Sequence, residues 1–359
     1  MLNTRWILIG LAFIGCEDDP LRYDYDGDGW ANWEDCDPYD PEVYPGAPEQ
    51  CDGKDNNCNG LIDDGITKVY HADADGDGFG DPRDSDFTCA PEEGWVEDGT
   101  DCDDTDPNVY PDAIERCDGK DTACNGRIDE PFVTMSFEPG EFDREQLALV
   151  GAASLQSDGL GNTYVELTTA RQQQRGGAFI TKRIAGDRWF AQFRVRADRT
   201  DGGDGIAFAF LKDETPIGLG PGGPNLGLYR SALEGWAVEF DTRAWGDFDE
   251  GLDDNHVALH EVRAGKRFAA NNSPPPFANT AWHFISIDFN EGQVEVEINN
   301  VPALSAFIED YDAEALTLGF TATTLLNFTQ ESMIDDLYIG CKAGAFLDDF
   351  FGDDNTPTP

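Results

Sequence analysis

Two runs of alternating aspartates have the spacing of a loop that binds a hard cation. Each run has the form Asp-x-Asp-x-Asp-Gly, and the two runs comprise Asp24, Asp26, Asp28 and Gly29, and Asp73, Asp75, Asp77 and Gly78. Carboxylates at the first, third and fifth positions of such a loop converge on one ion, and glycine permits the turn. Position twelve supplies Asp35 in the first loop and Asp84 in the second. Because all these donors are oxygen atoms and neither loop contains histidine, the spacing predicts two calcium sites.

Each run precedes one copy of a duplicated segment. Cys36, Cys51 and Cys58 recur as Cys102, Cys117 and Cys124, with separations of 15 and 7 residues in both copies, and the second copy has an insertion that includes Cys89. A weaker candidate site recurs inside each copy, at Asp55, Asn57, Asn59 and Asp63 and at Asp121, Asn125 and Asp129. Segments this small rarely fold without disulfides or metal. The alternative is an acidic spacer that binds no ion specifically.

Residues 24–65 and 73–130 resemble the tandem "putative metal-binding motif" repeats of secreted bacterial proteins. The resemblance implies a metal role without naming the metal. An EF-hand would need flanking amphipathic helices and a glutamate at position twelve, so the lone loops are nearer to thrombospondin type 3 or dockerin loops. We expect calcium to stiffen a spacer here, not to catalyse a reaction.

The charge of the chain excludes one class of function and is unevenly distributed. The 359 residues carry a net charge of -48, and residues 17–131 hold 36 acidic against 7 basic residues. Phosphate recognition needs a cationic surface, so the chain is not a nucleic-acid binder. With 40% hydrophobic residues, part of the chain must pack a core.

The N-terminus has the pattern of an export signal. Arg5 is followed by ten uncharged residues, 6–15, which is about half the length of a membrane-spanning helix. Phe13-Ile-Gly-Cys16 resembles a bacterial lipobox. That resemblance implies a signal peptide over residues 1–15 and lipidation of Cys16; ordinary cleavage and a plain core cysteine are the alternatives. We therefore expect an exported lipoprotein on the outer membrane or cell surface, which contacts the membrane only through its lipid.

Eight cysteines remain in what would be an oxidising compartment, and an even number predicts disulfides. They allow many pairings, among which the sequence does not choose. The candidates are Cys36, Cys51, Cys58, Cys89, Cys102, Cys117, Cys124 and Cys341.

From Phe132 the pattern changes to strands separated by Gly, Asn, Asp and Pro turns. Trp189 to Ala197 alternates apolar and polar residues, which predicts one wet face, whereas Ile206 to Leu211 is apolar on both faces and should be a central strand. About 200 residues of this texture predict a mainly β fold, one antiparallel β-sandwich.

Three segments of this region occur in the order typical of legume-type (L-type) lectins. They are Asp204-Gly-Ile-Ala-Phe-Ala-Phe, Gly222-Gly-Pro-Asn-Leu-Gly-Leu-Tyr and Ala237-Val-Glu-Phe-Asp-Thr. The resemblance covers about residues 137–341 and implies a concanavalin-like jelly roll. The expected domains are repeat 1 over 16–66, repeat 2 over 67–131, the sandwich over 132–342 and a disordered acidic tail over 343–359.

The same resemblance implies a paired calcium and transition-metal site. The family's ligand offsets fall on Glu239, Asp241, Asp249 and His256, and imidazole suits a transition ion while carboxylates suit calcium. One departure is Lys266, which stands where the family usually has a serine.

For sugar binding the resemblance implies contacts from Asp204 and from the Gly222 and Gly223 backbone. Asp204 could alternatively be a turn residue entering a strand. Trp245 stands where the family has a calcium-binding asparagine, so Asp247 is the expected replacement ligand and Trp245 a ring that stacks on sugar. Arg243 replaces a frequent aromatic residue.

These patterns together predict a calcium-dependent, surface-anchored lectin-like protein that binds a glycan without cleaving it. Glycoside hydrolases on such a sandwich need two carboxyl groups, and the strand of Glu239 and Asp241 lacks their usual second glutamate. The alternatives are a structural or adhesion protein whose sandwich binds protein, and a glycan hydrolase or lyase. The sequence does not indicate an oligomeric state.

Overall fold

The computed structural model describes residues 23–137, 145–159, 162–199, 203–213, 218–244, 249–325 and 328–342. The predicted signal peptide, Cys16, Trp245, Asp247 and residues 343–359 therefore lie outside the described residues. The chain divides into two units, Met1–Tyr110 and Pro111–Pro359. In the described part of the chain the one helical element is a 3-10 turn at Gly223–Asn225, and no helix there is long and apolar enough to span a membrane.

The first unit consists mainly of turns. Its strands are β1 (Lys68–Ala72), β2 (Ser85–Thr88) and β3 (Trp95–Val96), which form an antiparallel sheet in the order β2-β1-β3. Two of these strands come from the insertion of repeat 2. Disulfides join Cys36 to Cys58 and Cys51 to Cys89, so covalent links support a unit that buries few apolar side chains.

The second unit is an antiparallel sandwich of two eight-stranded sheets. One sheet has the order β17-β16-β15-β10-β19-β7-β6 with β4 on β19, and the other has the order β14-β13-β12-β11-β18-β8-β5 with β9 on β18. The mainly β prediction is confirmed. The strands are β4 (Val133–Met135), β5 (Leu147–Gly151), β6 (Ser154–Ser157), β7 (Thr163–Thr168), β8 (Arg175–Ile180), β9 (Ile184–Ala185), β10 (Arg188–Arg199), β11 (Ile206–Leu211), β12 (Gly235–Asp241), β13 (His256–Glu261), β14 (Arg267–Asn271), β15 (His283–Asn290), β16 (Gln293–Ile298), β17 (Val301–Phe307), β18 (Ala315–Thr323) and β19 (Gln330–Gly340).

The core lies between the two sheets, and the period-two pattern explains which side chains enter it. On β10, Trp189 and Phe193 are buried in this core, while Arg194 and Arg196 on the other face are only partly buried. The predicted solvent-exposed face of β10 is therefore only partly present, because Gln192, which shares it, is buried at 6% exposure.

Strand β11 is buried on both faces, as predicted for a central strand, and lies between β12 and β18. Phe208 and Phe210 enter the core between the sheets. Ala207 and Ala209 face the other way and pack in a second apolar cluster that contains Leu228 from the loop before β12. Glu239 of β12, which is paired with Ala207, lies on this second face.

A disulfide joins Cys117 of repeat 2 to Cys341, which directly follows β19. The end of repeat 2 therefore lies in the second unit, Pro111–Pro359. Each of the eight cysteines predicted to form disulfides is disulfide-bonded.

Candidate functional site

Strand register places the predicted metal ligands of the sandwich side by side. Glu239 and Asp241 are two residues apart on β12 and share a face. Asp241 pairs with His256, the first residue of β13, and Glu239 pairs with Ala258. Because Ala258 is small, the Glu239 side chain has room on this face of the sheet.

The four predicted ligands converge on one point. Glu239, Asp241, Asp249 and His256 are all buried, and one potential ligand atom from each lies within 4.8 Å of the others. His256 Nε2 is 3.3 Å from Glu239 Oε1, 3.9 Å from Asp241 Oδ2 and 3.8 Å from Asp249 Oδ1. Ligand bonds of about 2.0–2.2 Å put the donor atoms of one ion roughly 3–4 Å apart, so the spacing suits a bound cation.

Hydrogen bonding within the cluster favours a cation over a protein partner. His256 Nδ1 lies 2.8 Å from the carbonyl oxygen of Asp253, which can only accept, so Nδ1 carries a proton. Its Nε2 lies 3.3 Å from Glu239 Oε1, to which a protonated ring donates and beside which a neutral ring offers a lone pair to an ion. Asp241 Oδ2 and Glu239 Oε2 are buried with no hydrogen-bond partner among the described residues. Such orphaned oxygens are costly without a counter-charge, so the residues fit a metal ion.

Electrostatics separate the two β12 carboxylates. Burial, reinforced by the charges of Glu239 and Asp249, raises the pKa of Asp241 well above its ordinary value. Burial also acts to raise the pKa of Glu239, but His260 and His256 outweigh it and lower that pKa to about 2. Glu239 thus has two imidazoles beside it, whereas Asp241 faces mainly other carboxylates.

His260 is a site residue that the sequence analysis missed. Its Nε2 lies 3.1 Å from Glu239 Oε1, and its ring packs 4.9 Å from that of Tyr229. Residues four apart on a strand share a face, so the spacing of His256 and His260 was an available signal.

The predicted sugar contacts are brought together by Thr323. Its hydroxyl lies 3.2 Å from Asp204 Oδ2 and donates to the carbonyl oxygen of Gly223 at 2.8 Å. Gly223 has φ +72°, which favours glycine, and Gly222 precedes the 3-10 turn. Asp204 is fully buried, so its carboxylate has to become accessible before a sugar can contact it.

The residue before β11, Gly205, allows the backbone to pass close to β12 next to the four predicted ligands. Gly205 has φ +106°, and a Cβ there would lie 2.4 Å from the carbonyl oxygen of Phe240.

The backbone N–H of Arg243 donates to Asp241 Oδ1 at 2.6 Å, and the Arg243 guanidinium stacks on Phe328 at 3.7 Å. The Lys266 ammonium lies 4.9 Å from the Phe268 ring centre.

In repeat 1, the first aspartate of the loop holds the turn closed. Asp24 accepts the backbone N–H of Gly27 at 2.6 Å and of Gly29 at 3.0 Å. Asp26 and Asp28 point inward, and one oxygen of each is buried without a hydrogen-bond partner. Partial burial, with the charges of Asp28 and Asp35, raises the pKa of Asp26. Asp35 thus lies near the run, as predicted.

The loop of repeat 2 has the same form. Asp73 accepts the backbone N–H of Gly76 at 2.7 Å and of Gly78 at 3.2 Å. Asp75 and Asp77 again each keep a buried oxygen without a partner.

The position-twelve residue is where the second loop differs from expectation. Asp84 is exposed, whereas Asp101 is only 2% exposed and has one oxygen without a partner. Burial and the charges of Asp77, Asp75 and Asp104 raise the pKa of Asp101. Asp101 precedes Cys102 as Asp35 precedes Cys36, so alignment on the cysteines, not counting along the loop, identifies the counterpart of Asp35.

In the weaker candidate loops, too, the first aspartate accepts backbone N–H groups from its own turn. Asp55 accepts the backbone N–H of Asn59 at 3.1 Å and of Gly60 at 2.7 Å, and Asp121 does so in the second copy. The predicted last donors, Asp63 and Asp129, instead accept backbone N–H groups of earlier turns.

One family model matches the chain in two places. It is described as a "putative metal-binding motif", is named Cu-binding MopE, and matches residues 35–64 and 101–130. The repeats are therefore similar to that motif, as their sequence indicated. Each match begins at the aspartate before the first cysteine, Asp35 or Asp101, so it includes the residue that the structure places near the preceding loop.

The sandwich is similar in fold to several lectins. Lectin I-B4 from Griffonia simplicifolia, in a metal-free form, is 17% identical with a TM-score of 0.47, and the alignment covers 58% of this chain and 98% of the lectin. The Lotus tetragonolobus seed lectin is 17% identical (TM-score 0.49; 58% and 97% covered). The VIP36 exoplasmic/lumenal domain in its Ca2+/Man-bound form is also 17% identical (TM-score 0.44; 54% and 82%). No curated protein sequence matches the chain. At these identities and TM-scores, the likenesses carry no conclusion about a ligand.

Proposed function

We propose that the chain is a lectin-like protein that binds a glycan without cleaving it. Its sandwich site is shaped by a cation held by Glu239, Asp241, Asp249 and His256. The acidic repeats form a spacer stiffened by calcium. An exported lipoprotein anchored through Cys16 would place this spacer between a membrane and the sandwich.

The observation that carries the proposal is the buried cluster of three carboxylates and one imidazole, in which Asp241 Oδ2 and Glu239 Oε2 have no hydrogen-bond partner among the described residues. A cation there would hold Asp241, whose other oxygen accepts the N–H of Arg243 at 2.6 Å. That contact couples the ion to the loop after β12. A Cβ placed on Gly205, the residue after Asp204, would lie 2.9 Å from the Asp241 Cα, so the ion and the expected sugar contact are neighbours.

The donor set favours calcium in the repeats, although the matching family model is named for copper. Residues 35–64 and 101–130 contain no histidine. Cys36 and Cys58 are joined in a disulfide and offer no thiolate. The remaining donors are carboxylate, amide and carbonyl oxygens, which suit a hard cation. Metal analysis of the mature protein after exposure to equal Ca2+ and Cu2+ tests this assignment: copper in place of calcium would contradict it.

Glycan binding is tested by an array probed with the mature chain in calcium and manganese, and again in chelator. We expect selective binding that chelator abolishes. Asp204→Asn should lower that binding at least tenfold, while Asp335→Asn, a matched change of a fully buried aspartate in the other sheet, should not. Binding that survives both chelator and Asp204→Asn would contradict the proposed site.

A second candidate function follows from the complete burial of Asp204. A sandwich that keeps this carboxylate closed would bind a protein surface instead of a sugar, as an adhesion or structural module. An array without any retained glycan in the metal-loaded state, with a cation still bound in the sandwich, would favour this function.

A further inference from the structure

Arg175 places a positive charge beside the expected sugar contacts. It is the first residue of β8 and pairs with Thr323 of β18. Side chains of directly paired residues in an antiparallel sheet lie on the same face. On that face the Thr323 hydroxyl contacts Asp204 Oδ2 and the carbonyl oxygen of Gly223. The Arg175 side chain therefore lies on the face of the sheet that carries the expected sugar contacts.

Two contacts fix the direction of the Arg175 side chain. Its Nη1 donates to the carbonyl oxygen of Gly220 at 2.9 Å. A Cβ added to Gly222 would lie 3.3 Å from Arg175 Cδ, so the stem of the side chain packs against the Gly222 backbone. Because the guanidinium carbon is two bonds beyond Cδ, the positive charge lies beside the backbone that is expected to contact a sugar.

The charge of Arg175 is not balanced by a carboxylate in the part of the chain that the structure describes. Its hydrogen-bond partner Gly220 is neutral, whereas Arg196 elsewhere in the sandwich lies 2.6 Å from Asp198. Gly220 accepts one of the five N–H groups of the guanidinium. Arg175 is also exposed, so a ligand can reach the remaining N–H groups without a rearrangement of the fold.

We propose that Arg175 makes the sandwich selective for anionic glycans: it binds a carboxylate or sulfate group of the glycan next to the sugar ring that Asp204, Gly222 and Gly223 contact. This inference rests on the sugar site of the proposed function. The planar fork of an arginine forms two parallel hydrogen bonds with paired anionic oxygens. The net charge of -48 does not prevent such binding, because repulsion between exposed charges is largely screened beyond about 8 Å at physiological ionic strength.

The test measures the affinity of the mature full-length chain, in Ca2+ and Mn2+, for two matched pairs of oligosaccharides. One pair is a hexuronic acid oligomer and its methyl ester, and the other is a sulfated hexose oligomer and its desulfated form. We expect the anionic member of at least one pair to bind at least tenfold more tightly than its neutral form. The pair that shows the difference identifies carboxylate or sulfate as the group that Arg175 binds.

Two variants assign this preference to Arg175. Arg175→Gln removes the charge and should lower the affinity for the anionic member about 10- to 100-fold, as for the loss of hydrogen bonds to a charged group, and the affinity for the neutral member less than twofold. Arg175→Lys keeps the charge without the planar fork and should recover only part of the loss.

Arg188→Gln is the matched control. Arg188 is also an exposed arginine at the start of a strand with a neutral partner, but it lies in the other sheet, where its Nε donates to Asn290 Oδ1 at 3.1 Å. This change removes the same charge from the chain and should leave both affinities within about twofold. It therefore separates a local contact from an effect of the overall charge.

The outcomes distinguish this inference from the proposed function. If the wild type binds neither member of either pair, the sugar site of the proposed function is wrong, and the inference fails with it. If the neutral members bind as tightly as the anionic ones, or more tightly, the sugar site stands and the inference is overturned; this comparison needs no variant. A preference that Arg175→Gln retains also overturns the inference, because the anionic group is then held elsewhere, for example by calcium in the acidic repeats.

Discussion

The carboxylates of the repeats and those of the sandwich use the same donor chemistry in different surroundings. In the repeats, the first aspartate of each loop accepts backbone N–H groups, and Asp24 is exposed while Asp55 is only partly buried. In the sandwich, Glu239 and Asp241 are fully buried and each keeps one oxygen without a hydrogen-bond partner. A solvated loop can lose its ion and remain hydrated, whereas a buried cluster cannot. Ion removal should therefore affect the sandwich far more than the repeats.

The largest effect is expected from Asp241→Asn, and its sign should depend on the ion. With metal bound, the change removes a charged ligand and should lower the free energy of unfolding by about 3–5 kcal/mol, or the melting temperature by roughly 10 °C. In chelator the same change replaces a buried carboxyl group whose charged form is disfavoured by burial and by the charges of Glu239 and Asp249, so the melting temperature should stay level or rise.

Thermal unfolding of wild type and variant, with Mn2+ plus Ca2+ and then with chelator, gives the four melting temperatures needed. Thr242→Val, next to Asp241 in the chain, is a control for the local backbone. The Thr242 hydroxyl forms hydrogen bonds with Gly203 and Gln330 and not with the four predicted ligands. An equal decrease for Asp241→Asn in both buffers would remove the distinction between sandwich and repeats.

The next largest effect is expected at Asp335, a buried aspartate that forms an ion pair with the Arg194 side chain. Arg194 lies 3.0 Å from Asp335, yet burial and the charge of Asp336 raise the pKa of Asp335 to about 7. The unfolded value is near 3.8, so the folded state binds the proton more tightly. This term favours folding at acid pH, and it is lost as pH rises from about 4 to 7.

Between about pH 4 and pH 7 the wild type should lose up to about 4 kcal/mol of unfolding free energy through Asp335, and we expect Asp335→Asn to abolish this loss. Denaturant unfolding between pH 4 and pH 8 measures it, and because Arg194 is the partner, chelator should leave the difference unchanged. A wild-type profile parallel to that of the variant, or one that depends on chelator, would contradict this reading of Asp335.

How far the sequence predicts the site depends on how local each signal is. Strand β11 was predictable because period-two alternation acts over a few residues. The ligand set Glu239, Asp241 and His256 was instead implied by the resemblance to legume-type lectins, and strand pairing places these three residues side by side. Asp84 illustrates the limit. Counting along a loop does not reveal that the insertion in repeat 2 adds two strands to β1 and that Asp101 lies beyond them in the chain. The Cys117–Cys341 pairing, 224 residues apart, likewise had no local signal.

The smallest effect compares two aspartates within repeat 2. Asp101 is almost completely buried beside Asp75, Asp77 and Asp104, whereas Asp84 is exposed. If Asp101 completes the second loop, Asp101→Asn should weaken its Ca2+ binding about tenfold, which is about 1.4 kcal/mol. Asp84→Asn should change it less than twofold. Calorimetric Ca2+ titration of the mature chain, with sandwich sites filled by Mn2+, measures both. The reverse order would restore position twelve as the ligand and make the two loops alike in spacing as well as in form.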